Sequence, residues 1–282
     1  MRVTAEAARV LITVKTTPMP STKYGDTVCV AGLRIDGPTP SWVRLYPIAF
    51  RWLDPSSRFK KYDIVDLEVR RRDGDSRPES YSPTEDSIQI VDHLDGWKAR
   101  QPIMGKVPRT STCALRAAAV RHDAPSLGMV PVGRLIGVKW EAHPGWTPAE
   151  QDKIANALSQ TRLSLFGSPT VPPKLEAPPF KFSYRYECTA LGCPGHSGQL
   201  LDWELTELQR RYKTKSVEQL KGAVEHNFRE VMFADKRDTS FFMGNFEDPK
   251  KRQNFSVLGV YYPESRVANP PAALFDLDDD EI

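Results

Sequence analysis

Alternating apolar and polar positions dominate the first seventy residues. RVLITVKT (9–16), DTVCVAGLRID (26–36), SWVRLYPIAF (41–50) and YDIVDLEVRRR (62–72) are rich in β-branched residues, and the last sets Ile64, Val65, Leu67 and Val69 among charges. That pattern predicts strands. Gly and Pro clusters punctuate them: GPTP, DPSS and DGDSRP. Several short strands with turn signals predict a small barrel or sandwich. Period-two spacing then gives way to helical spacing at 148–163, where Pro148 suits a first turn and Ile154, Leu158 and Leu163 form a stripe.

The C-terminal third changes type. FKFSYRYEC (180–188) alternates and predicts a strand. QLLDWELTELQRRYK (199–213) aligns Leu201, Leu205, Leu208 and Tyr212 on one helical face. SVEQLKGAVEHNFREVMF (216–233) opens with Ser216 and Gln219 at capping-box spacing and buries Leu220, Val224 and Val231. TSFFMGNF and NFSVLGVYY close the region as two strands. The expected class is α+β, with an N-terminal OB- or SH3-like barrel and a C-terminal α+β domain carrying a Cys/His knuckle.

Proline sets the expected division. SPTVPPKLEAPP (168–179) holds five prolines, which fix φ and remove donors, so it is read as an extended linker. The expected plan is a β-rich region over 1–147, a helix over 148–167, the linker, an α+β domain over 180–263 and an acidic disordered tail over 264–282. The net charge is +3, but the tail alone carries six acids and one Arg, leaving 38 basic against 30 acidic residues in the body. An excess of positive charge favours a polyanionic partner such as DNA or RNA. No apolar run reaches the length of a spanning helix and no signal peptide is evident, so a cytoplasmic protein without a membrane partner is expected. With 4 Cys in such a compartment, thiols are expected to be free or metal-bound.

TVCVAGLRIDGPTPSWVRLYP, a Cys in a strand, then AGL, a polar turn and WVRLYP, resembles the opening strands of bacterial dual OB-domain proteins. The resemblance covers Thr16 to Phe50 and implies a nucleic-acid-binding barrel. The residues lend the same reading loose, independent support. Trp42, Arg44, Tyr46, Arg51, Lys60, Lys61, Arg70, Arg71 and Arg72 interleave aromatics with cations, as sequence-tolerant single-strand binding requires. Strand alternation weighs the other way for the individual positions: Trp42 and Tyr46 are expected in the barrel core with Arg44 facing water, and 70–72 is expected to be a solvated strand end.

YECTALGCPGHSGQLLDWE (186–204) carries the strongest chemical signal. Cys188, Cys193 and His196 follow zinc-ligand spacing around Gly192, Pro194 and Gly195. A fourth ligand would close a structural site; His226, Asp202, Cys29 and Cys113 are the candidates. Two free thiols and a turn histidine, or a Cys188–Cys193 disulfide, are the alternatives. Asp202 and Glu204 point about 200° apart on a helix and cannot easily grip one ion, so Asp202 is expected to complement the helix dipole. His226 and Glu230, at i and i+4, share a face.

The leading functional expectation is nucleic-acid binding or processing with structural zinc. The alternatives are a nuclease using Mg or Mn with His196, Asp202, Glu204, His226 and Glu230, and an adaptor that docks a protein partner through RLSLF (162–166), which resembles a sliding-clamp docking peptide, or through the acidic tail.

Overall fold

Seven strands cover residues 6–93: β1 (Glu6–Lys15), β2 (Met19–Ser21), β3 (Gly25–Arg34), β4 (Ser41–Ile48), β5 (Asp63–Arg71), β6 (Ser80–Pro83) and β7 (Gln89–His93). The computed structural model describes residues 4–159 and 173–268. Five of the strands close a barrel in the order β1–β3–β4–β6–β5 and back to β1. Every neighbour is antiparallel except β4 and β6, where Arg44 lies opposite Ser80 and Leu45 opposite Tyr81 in parallel. The closing pair runs from Glu6 opposite Val69 to Leu11 opposite Ile64.

Period-two burial fills this barrel. Val10, Ile12, Val28, Val30, Val43, Leu45, Val65 and Val69 are all but inaccessible to water. At Gly32, a Cβ would lie 2.5 Å from Val10 Cγ1 and 2.6 Å from the Leu11 carbonyl oxygen, so only glycine lets β1 and β3 approach this closely. The link from β4 to β5 supplies Phe50, Leu53 and Phe59 to the same core, with Phe50 edge-on to Phe59 at 5.0 Å.

Helices α1 (Gly96–Met104) and α2 (Thr112–Ala118) lead to the second half. Its strands are β8 (Leu127–Ala142), β9 (Phe180–Cys188), β10 (His196–Gln199), β11 (Ser240–Asn245) and β12 (Phe255–Tyr261), with α3 (Pro148–Ser159) between β8 and β9, and α4 (Trp203–Arg211) and α5 (Val217–Glu225) between β10 and β11. The sheet order is β10–β9–β8–β11–β12. A parallel bridge joins Leu200 to Val257, and the Leu201 amide donates to the Val257 carbonyl at 2.8 Å, so the end of β10 meets β12. With β2 and β7 set aside, both halves number their five strands 1-2-3-5-4, and in both the third and fifth run parallel.

Asp202 caps α4 through the Glu204 amide at 2.8 Å, matching the expected dipole role. The expected capping box is present between Ser216 and Gln219. The helix then widens into a π-helical turn over His226–Val231. Phe182, Tyr184, Tyr186 and Phe241 form an aromatic core against Leu205, Leu220, Val224 and Phe228. A third cluster, including Leu11, Leu33, Met129, Phe242 and Leu258, seals the halves together.

The chain divides elsewhere than the prolines suggest. Strand β8, expected with the first region, pairs with β9 from Val132 opposite Cys188 to Ala142 opposite Phe180, and with β11 on its other side. Within the Pro-rich stretch, Leu175 is buried and its carbonyl accepts from Trp146 Nε1 at 3.3 Å, so residues 173–179 pack as part of a connection inside the second half. Pro131 and three glycines hid β8 from the sequence pattern. The 162–166 peptide and residues 269–282 lie outside the described residues, while Ser265–Ala268, expected within the disordered tail, form a short helical turn. No helix among the described residues is long and apolar enough to cross a membrane.

Candidate metal centre and inter-barrel cleft

Three elements deliver the ligands of one compact group: Cys113 from the first turn of α2, Cys188 from the end of β9 and His196 from the start of β10, with Cys193 on the turn between. Gly192 and Gly195 take φ of 68° and 83°, which an L side chain adopts only with strain, and so let the turn fold back on itself. His196 Nε2 lies 3.2 Å from Cys193 Sγ, 3.4 Å from Cys113 Sγ and 3.5 Å from Cys188 Sγ. Cys188 Sγ is 3.5 Å from Cys193 Sγ and 3.7 Å from Cys113 Sγ. A tetrahedral ion with bonds of about 2.3 Å to sulfur and about 2.0 Å to nitrogen spaces its ligands by roughly 3.5–3.8 Å. The Cys3His group therefore fits a metal ion such as zinc.

Charge within the group explains why it wants a cation. Burial opposes ionisation of Cys188, yet amides of Cys113 and Ala190, with His196 and Cys193, bring its thiol down to about 6. Burial and the neighbouring sulfurs push Cys113 up to about 11. One thiolate thus makes the next costly, and a divalent ion removes that conflict.

The remaining proposed catalytic residues do not join this group. Among the described residues, no other set of three His, Cys, Asp or Glu converges. His226 pairs with Glu230 at 3.0 Å on the surface, both about two-thirds exposed. Asp202 and Glu204 instead face lysines in a cleft of about 550 Å³ that also holds Lys15, Lys60, Lys61 and His93. Lys61 lies 3.6 Å from buried Asp202, and burial pushes that carboxyl up to about 6 against the pull of Lys61. His93 Nδ1 meets Asp63 at 2.6 Å. Lys15 Nζ sits 3.7 Å over the Phe50 ring and 4.7 Å from Trp203, and burial brings its pKa down to about 8.

A second cleft, of about 510 Å³, opens between the halves on the outer face of β3 and β4. Trp42, Arg44 and Tyr46 share that face because they share a parity, while Val43 and Leu45 point inward. This corrects the reading of Trp42 and Tyr46 as barrel core. Arg44 does not face water either: it is 4% exposed beneath the second half. Its Nη1 donates to Cys29 Sγ at 3.3 Å, and its Nη2 to the Ser126 carbonyl at 3.2 Å. Tyr46, Trp146, Phe180 and Phe246 give the cleft aromatic walls, and Arg77 and Asn245 add to its floor.

The other predicted cations are dispersed. Arg51 pairs with Asp26 at 2.9 Å. Arg70 is exposed, Arg71 binds the Arg77 carbonyl at 2.9 Å, and Arg72 sits 4.9 Å over Tyr46 while pairing with Glu247 at 2.8 Å. Sequence reasoning missed Arg77, Trp146 and Asn245 as cleft residues. Their only signal was a turn context or a lone aromatic, because the walls come from segments up to two hundred residues apart.

Family comparison follows the structural division. A domain of unknown function, DUF8757, matches residues 108–279, more than half of the chain. The chain belongs to the DUF8757 family. A second domain of unknown function, DUF8758, matches residues 6–106. The DUF8757 portion begins just before α2 and holds all four members of the Cys3His group. No curated protein matches the chain.

Proposed function

We propose that the protein binds single-stranded nucleic acid through OB-type barrels, and that zinc in the Cys3His group braces the second of them. The observation that carries this is the position of the inter-barrel cleft. OB barrels bind strands on the face of their second and third strands, flanked by the loops joining strands 1–2 and 4–5. In the first barrel those elements are β3, β4, residues 16–24 and residues 72–79, and they contribute Cys29, Arg44, Tyr46, Thr16, Thr17, Met19 and Arg77 to the cleft. The 1-2-3-5-4 order in both halves supports the same reading, and it is in keeping with the dual OB-domain resemblance. Aromatic walls over a cationic floor suit stacked bases and a charged backbone.

Zinc is favoured over harder cations because three sulfurs and an imidazole are soft ligands. Four protein ligands leave no open position, so the zinc's role is structural. The nuclease reading has weaker support: Asp202 is committed to Lys61 and the α4 cap, and the His226–Glu230 pair stands alone on the surface.

The test is fluorescence anisotropy of a labelled 12-mer, DNA and RNA, against the zinc-loaded protein. Binding should weaken from 50 to 200 mM salt because the release of counterions from the strand gains less as salt rises, roughly twentyfold for three phosphate contacts. Tyr46→Ala should weaken it at every salt concentration, and Mg or Mn should produce no cleavage. Absence of binding at 50 mM salt would sink the proposal.

A further inference from the structure

We propose that the inter-barrel cleft seats the phosphorylated end of a single strand, its terminal phosphate on Arg44 and its last base against Tyr46 and Trp146. The inference rests on the nucleic-acid reading above and goes beyond it by naming the part of the strand that is recognised.

Arg44 carries the argument. Its guanidinium lies in the cleft floor with the residue 4% exposed, yet no carboxylate pairs with it among the described residues. Its hydrogen-bond acceptors are a cysteine sulfur and the carbonyl and hydroxyl of Ser126, and its Nε has no partner. Arg77, on the same floor, is neutralised by Asp75 at 2.6 Å. Buried Glu79 accepts from the Ser126 amide and hydroxyl at 2.9 Å, so the nearest carboxylate meets Arg44 through Ser126 and not directly, and a phosphate entering the cleft would give the guanidinium a direct anionic partner. Asn245 is also buried in the floor, with Oδ1 unpartnered, an acceptor for a sugar hydroxyl or a base amine.

Along the β3–β4 face the cleft reaches no further than Arg44. Gly244 presses on Arg44: a Cβ there would lie 3.1 Å from Nη2. One step further along the same face, Trp42 packs edge-on to Phe242 at 5.9 Å. The second half therefore covers the β3–β4 face beyond Arg44. A strand that follows this face past Tyr46 stops there, with its first or last nucleotide on the floor.

Cys29 provides a reporter, since it lines the cleft while the other three cysteines sit in the metal group. The experiment uses the full, zinc-loaded chain and one 12-mer sequence with a 5′-phosphate, a 3′-phosphate or hydroxyls at both ends. One phosphorylated form should bind about tenfold more tightly than the hydroxyl form and slow alkylation of Cys29 by N-ethylmaleimide about tenfold. Arg44→Gln should reduce that preference to near unity. Should that variant fail to fold, the comparison of end groups and the Cys29 protection in the wild type decide the matter alone. Equal affinity for all three ends, or binding that leaves Cys29 alkylation unchanged, overturns end recognition while leaving strand binding intact. Absence of binding to any of the three removes both.

Discussion

The two halves repeat one strand order but hold it together by different means. The first barrel is filled by aliphatic side chains from all round its wall, and its open end is stopped by Phe50 and Phe59 on a short connection. The second has a third strand of only four residues, His196–Gln199, reading HSGQ. Such a strand brings almost no apolar surface. Its place is held at one end by the Cys3His group and at the other by the bridge from Leu200 to Val257. Two helices and a π-helical turn then cover the aromatic core that the first half closes with one loop. The first half is thus closed by packing, whereas the short polar strand of the second is anchored beside a Cys3His group that fits a metal ion.

The comparison breaks most sharply on metal removal. Chelation, or Cys188→Ser with Cys193→Ser, should release about one zinc per chain by elemental analysis. Apparent structural-zinc energies are on the order of 10 kcal/mol, so the second half should unfold while far-UV signal from the first persists. Full retention of the thermal midpoint without metal would show that coordination does not brace this half. At the joint between halves, Asp202→Ala leaves Lys61 buried and unpaired and removes the α4 cap. A loss of about 3–5 kcal/mol in urea unfolding is expected.

Within the first barrel, Leu45→Ala should cost about 2–5 kcal/mol by opening a cavity in a packed core, with zinc content unchanged. A variant that also lost zinc would mean the halves fold as one unit. The smallest effect is a pH dependence at Lys15, which burial brings from 10.5 down to about 8. Between those values the unfolded chain holds more protons than the folded one, so stability rises with pH across that window and is flat below about 8. The urea midpoint of the wild type should therefore climb between pH 8 and 10 relative to Lys15→Met. Parallel curves would place the Lys15 amine in water and not over Phe50.

Much of this was legible in the chain. Strands β1, β3, β4 and β5 announced themselves by alternation, α5 by Ser216 and Gln219, and three metal ligands by their spacing around Gly192 and Gly195. The parity of residues 42–46 also fixed that Trp42, Arg44 and Tyr46 share a face, but not which face, since apolar residues stand on both sides of that strand. Strand β8 was illegible because Gly and Pro interrupt a segment that its neighbours on both sides nonetheless hold extended.

The sequence by itself determined local things: which segments extend or coil, where helices start, and that a thiol-rich turn could grip an ion, because these depend on residues a few positions apart. Only the tertiary structure brought Cys113, rather than Cys29, Asp202 or His226, to the other three candidate ligands, placed Asp202 against Lys61, and set Arg44 on the floor of a cleft without a directly paired carboxylate among the described residues. Each of those joins residues 75 to 200 positions apart. Their meeting depends on how two sheets close and pack, which no short-range pattern encodes.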